Sequence, residues 1–108
     1  MLSRDIHYKM PTVANALEHL EIFLKEVKRS EKIVEVITGY GSSGGSSKIK
    51  NAVIKRLGEL KESNYIKDFI CGEELDIFNS KYLSFKYGSL IPDEYKKIQN
   101  KGAIYVIL

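Results

Sequence analysis

Ten consecutive residues, Thr38-Gly39-Tyr40-Gly41-Ser42-Ser43-Gly44-Gly45-Ser46-Ser47, separate a β-branched stretch (Ile33 to Thr38) from an amphipathic basic segment (Lys48 to Lys61). Four of the chain's eight glycines fall within this run. A strand, a loop of small residues and a helix start together favour the binding of an anion. The first N–H groups of a helix have no intrahelical partner, and the helix dipole favours negative charge beside them. Glycine lets such a loop take up positive φ and approach a phosphate closely. The rest of the chain is best read as a frame that holds this loop.

Periodicity supplies that frame. Leu2 to His7 alternates as a short strand, with Asp5 and His7 on one face and Arg4 and Ile6 on the other. Met10-Pro11-Thr12 breaks it, and Thr12 is a good N-cap. A helix is predicted from Val13 to about Arg29, with Val13, Ala16, Leu17, Leu20, Leu24 and Val27 on one apolar stripe. Ile33 to Thr38 is apolar on both faces, as a central strand should be. After the loop, Ser46 or Ser47 is the predicted cap of a second helix, whose buried face is Ile49, Ala52, Val53, Leu57 and Leu60. Tyr65 to Ile70 and Ala103 to Leu108 complete the strands, the last introduced by the turn Asn100-Lys101-Gly102. Between them, Glu74 to Phe85 is predicted helical and Tyr87 to Gln99 irregular. The pattern β-α-β-α-β…β predicts an α/β fold in which helices cover a mixed four-stranded sheet, with right-handed crossovers between parallel strands.

The totals limit the classes of function. A chain of 108 residues predicts one domain, 1–108, with a core that needs no disulfide or metal. No apolar run approaches the ~18 residues of a membrane span, and the first residues lack the regions of a signal peptide. With the lone Cys71, this points to a reducing, cytoplasmic setting. Net charge is only +3, but residues 1–64 hold 11 bases and 8 acids while residues 65–108 hold 6 of each. Five bases (Lys48, Lys50, Lys55, Arg56, Lys61) and one acid (Glu59) lie between Lys48 and Lys61. On an ordinary helix this is a solvated face; beside a phosphate-sized loop it is a candidate footprint for a polyanion.

Two groups of residues are equipped for chemistry. In Asp5-Ile6-His7 a carboxylate lies two residues from an imidazole that can move protons near neutral pH. The loop admits several readings. Gly39-Tyr40-Gly41-Ser42-Ser43-Gly44 matches the dinucleotide fingerprint in form, but the acids about 20 residues on, Glu59 and Glu62, fall inside the predicted helix. A P-loop needs lysine where Gly45 stands. A connection without a ligand is the simplest reading. A nucleic-acid backbone contact is the other, with Tyr40 or Tyr8 as a ring on which a base stacks, although packing at a domain edge suits either tyrosine equally.

Asp5-Ile6-His7, the helix Thr12 to Arg29, Thr38-Gly39-Tyr40-Gly41 ahead of the helix Lys48 to Leu60, and Gly102-Ala103-Ile104-Tyr105-Val106 occur in an informative order. In that order and spacing the chain resembles the Smr (small MutS-related) domain family over nearly its whole length. The family has Leu-Asp-x-His-Gly on its first strand, His-Gly-x-Gly in its loop and a closing Gly-Ala-apolar strand. The resemblance implies a two-layer α/β sandwich like the C-terminal domain of the bacterial initiation factor that binds the small ribosomal subunit. It also implies a partner, structured DNA or RNA, in some members on the ribosome, and in several members strand cleavage. By motif, Asp5 and His7 become the catalytic pair, and Tyr8, Thr38, Gly39, Tyr40, Gly41, Ser42, Lys48 and Lys50 the nucleic-acid-binding set, with no metal or cofactor required. The chain departs from the family in having Thr38 for its second histidine, Tyr8 for its glycine, and a longer, serine-rich loop. Three functions follow as alternatives: an endonuclease, a non-catalytic nucleic-acid- or ribosome-binding module, and nucleotide binding at the loop.

Overall fold

The computed structural model describes residues 1–9, 11–39 and 44–108. Its framework is β1 (Leu2–Asp5), α1 (Val13–Val27), β2 (Ile33–Ile37), α2 (Gly44–Glu62), β3 (Asp68–Cys71) and β4 (Ala103–Ile107), with α3 (Ser80–Ser84) and α4 (Asp93–Ile98) between β3 and β4. The sheet order is β1-β2-β4-β3. β1 and β2 are parallel, with Asp5 opposite Ile37, and β4 runs antiparallel between β2 and β3. This is the mixed four-stranded α/β sheet that the pattern predicts.

The alternation along β2 and β4 decides which layer each residue enters. Val34, Val36, Ile104 and Val106 are buried with Ala16, Leu20, Phe23 and Leu24 of α1 and Ile49, Val53 and Leu57 of α2. Ala103 and Tyr105 face the other way and are buried with Ile70, Leu75 and Ile91. β2 is thus central and covered on both sides, as its apolar run requires. At the start of α1 the Thr12 hydroxyl accepts the Asn15 N–H at 3.1 Å, the predicted cap. Phe23, left out of the predicted stripe, is buried one turn beyond Leu20. Among the described residues no helix is long and apolar enough to cross a membrane.

Several boundaries differ from the sequence reading, each for a local reason. β1 stops at Asp5 rather than His7, because the Asp5 carboxylate accepts the His7 backbone N–H at 2.8 Å and turns the chain. The alternation that would align Asp5 and His7 along a strand therefore ends before His7. α2 starts at Gly44, so Ser46 and Ser47 lie inside its first turn and neither is the cap. The docked face of Ile49, Val53 and Leu57 fixes the helix, and this outweighs the weak propensity of two glycines, about 1 kcal/mol each.

β3 begins at Asp68 rather than Tyr65, because Tyr65 and Ile66 donate their N–H groups to the Leu60 carbonyl and close α2 after Asn64, whose φ is +64°. The predicted helix Glu74 to Phe85 is instead a short 3-10 turn (Gly72–Glu74) followed by α3. Asp76 and Asn79 accept the N–H groups of Phe78 and Lys81, both at 2.9 Å, and these local bonds compete with a continuous helix. The segment read as irregular, Tyr87 to Gln99, holds a second 3-10 turn (Gly88–Leu90) and α4, which Pro92 precedes.

Candidate nucleic-acid interface

Parallel pairing puts the C-terminal ends of β1 and β2 side by side, and the chain leaves each end toward the same corner. His7 follows β1; Thr38 and Gly39 follow β2. Gly39 has φ +82°, a conformation that side chains disfavour. A Cβ there would lie 3.1 Å from His7 Cγ, 3.2 Å from Cδ2 and 3.3 Å from Nδ1, so the imidazole rests directly against the glycine. Glycine is needed at this position both for its backbone angle and for the space the ring occupies. The half-buried His7 is held from behind by the Asp5 carboxylate on its own N–H. Asp5 thereby braces the His7 main chain.

The start of β4 closes the corner from the other side. Thr38 N–H donates to the Gly102 carbonyl at 2.7 Å, and its hydroxyl lies 3.4 Å from the same oxygen. Thr38 is completely buried, so its side chain faces the interior and not a ligand. A Cβ on Gly102 would sit 3.2 Å from the Gly39 carbonyl carbon, a second close approach of main chains. Asn100 fixes this turn by accepting the Gly102 N–H at 2.8 Å.

The lysines divide by what they touch. Lys50 donates to Glu73 at 2.5 Å and to the Lys101 carbonyl at 2.9 Å, joining α2 to the turn before β4. It braces the corner, its ammonium already engaged by a carboxylate and a carbonyl. Lys48 is exposed. The predicted footprint along α2 is smaller than its count of bases. Arg56 pairs with Glu21 at 2.5 Å and Glu59 at 3.2 Å, and Lys61 with Asp68 at 3.0 Å. Among the described residues, neither Lys48 nor the exposed Lys55 is in an ion pair. Tyr8 is 70% exposed, with the Lys9 ammonium 5.6 Å from its ring centroid. Tyr40, Gly41 and Ser42, named from the sequence, lie outside the described residues.

Two further groups lie near the end of β3. Cys71, at the end of β3, is buried and free; burial, then the charges of Glu74 and Glu73, push its thiol up to about 12 and leave it an inert packing group. Burial alone would raise Glu74, but the Cys71 N–H and the Lys81 ammonium outweigh it and hold the carboxyl below its ordinary range. Among the described residues no group of His, Cys, Asp and Glu is arranged to hold a metal ion.

Sequence reasoning found His7 and Gly39 but missed Gly102, Asn100 and the Lys50–Glu73 brace. Asn100-Lys101-Gly102 carries a turn signal, yet nothing local says which loop that turn touches. The chain matches no protein-family model, no curated protein and no solved structure.

Proposed function

We propose that this is an Smr-like domain that binds the sugar-phosphate backbone of DNA or RNA where β1 and β2 end, in a reducing, cytoplasmic setting. The observation that supports this best is the contact of the His7 imidazole with Gly39, which precedes α2 in the chain. An imidazole seated on the main chain and an exposed Lys48 near the positive end of a helix are complementary to a phosphate.

Cleavage is the second reading, and His7 is the residue that favours it. Breaking a phosphodiester needs a nucleophile to be activated, a leaving oxygen to be protonated and charge on the phosphate to be stabilised. With RNA the substrate's own 2′-hydroxyl supplies the nucleophile, so one imidazole has less to do. The inward-facing Thr38 offers no second proton-transfer group, which weighs toward binding without cleavage. A dinucleotide site is disfavoured by topology. Its fingerprint wants an acid at the end of the next parallel strand, whereas antiparallel β4 lies beside β2, and Glu59 and Glu62 belong to α2.

Binding of DNA and RNA oligonucleotides across a salt series tests the first reading: affinity falls as salt rises, because association releases counterions. Absence of binding to every probe at low salt would refute it. Incubating the same probes with wild type and His7→Ala tests the second: cleavage that survives the substitution unchanged would exclude His7 chemistry.

A further inference from the structure

We infer that the site selects nucleic acid carrying an unpaired nucleotide, whose base stacks on Tyr8 while its phosphate lies against Gly39 and the start of α2. This rests on the nucleic-acid reading above. Tyr8 is covalently next to His7, so their Cα atoms are about 3.8 Å apart. His7 is fixed in place by Gly39 and by the Asp5 carboxylate, which anchors Tyr8 at the rim of the same corner. Yet Tyr8 is 70% exposed, so its position gains little from burial in the fold. Lys9, with φ +62°, turns back and sets its ammonium 5.6 Å from the ring centroid. A cation on one side of an exposed ring leaves the other side as a platform, and the charge is placed to serve an adjacent phosphate.

A platform of this kind discriminates by geometry. Away from its ends, a duplex covers both faces of each base with its neighbours, so none there is available to an outside ring. A bulge, a loop or a single strand presents a free face. Tyr8 therefore adds affinity only for the unpaired forms.

The experiment compares three probes of matched sequence: a single strand, a blunt duplex, and that duplex with a one-nucleotide bulge. Each is titrated against wild type, Tyr8→Ala and Tyr8→Phe. The expected result is about tenfold tighter binding of the single-stranded and bulged probes, lost in Tyr8→Ala and kept in Tyr8→Phe. The blunt duplex binds all three proteins alike. Equal affinity of wild type for all three probes, or a Tyr8→Ala loss spread equally over them, overturns the inference and leaves the backbone-binding reading standing. Failure of every probe to bind wild type removes both.

Discussion

The two ends of the sheet use the same materials in opposite ways. Where β4 finishes and β2 and β3 begin, the Lys28 ammonium donates to the backbone carbonyls of Tyr65 and Leu108 and lies 5.1 Å from the Tyr65 ring centroid. Backbone bonds from Lys67 to Ile107 and from Leu108 to Lys32, at 2.8 and 2.9 Å, close that end further. At the other end, glycines bring three main-chain segments together, His7 rests on Gly39, and Lys48 is exposed. Lys28 at the closed end completes the fold; at the other end Lys50 braces the turn before β4, while Lys48 is exposed and in no ion pair among the described residues. Counting charge therefore does not locate the site; what the charge touches does.

Gly39→Ala breaks this contrast most severely. The new Cβ meets the His7 ring at 3.1 Å on a backbone with φ +82°. We expect a stability loss of roughly 1–3 kcal/mol in chemical denaturation. We also expect nucleic-acid affinity to fall by about tenfold or more, a 1.4 kcal/mol change per decade. Unchanged binding would mean that the corner is not the contact surface. Lys28→Met is the complementary test at the closed end. It strands two carbonyls and lowers stability by about 1–3 kcal/mol, while affinity stays the same in the folded protein. A matching loss of affinity would erase the distinction between the ends.

These two variants also mark what the sequence disclosed. Thr12 as a cap and the doubly covered β2 follow from capping chemistry and alternation, which are local or nearly so. In the sequence His7 and Gly39 are grouped only through the family resemblance, and it is the parallel pairing of β1 with β2 that brings them together. Lys28 gives no such sign, because its acceptors lie 37 and 80 residues away. The pairing of Lys50 with Glu73, 23 residues on, is equally silent in the sequence. The segment between β3 and β4 was misread because Asp76 and Asn79 bond to nearby backbone and interrupt an apolar spacing that otherwise looks helical.

Smaller effects sharpen the comparison. Lys48→Ala lowers the slope of log affinity against log salt by about 1, as loss of one phosphate contact should, whereas Lys61→Ala, already paired with Asp68, leaves it unchanged. Equal slopes for the two variants would restore a footprint along the whole of α2. The smallest effect concerns Cys71. Its thiol, raised from 9.0 to about 12 mainly by burial, stays protonated in the folded protein, so a thiol reagent at pH 8 labels it only when the chain opens. Between those two pH values the unfolded chain ionises first, so this group contributes a fall in stability as pH rises. Rapid labelling of the native protein would show that the open end extends as far as β3.

The central claim, that an anionic backbone settles where β1 and β2 end, is tested most directly by backbone amide resonances during titration with a single-stranded oligonucleotide. The account predicts that His7, Tyr8, Gly39 and Lys48 shift together at low saturation while Lys28, Lys67 and Leu108 stay still. Shifts confined to Lys28, Lys67 and Leu108, with Gly39 unmoved, would contradict it.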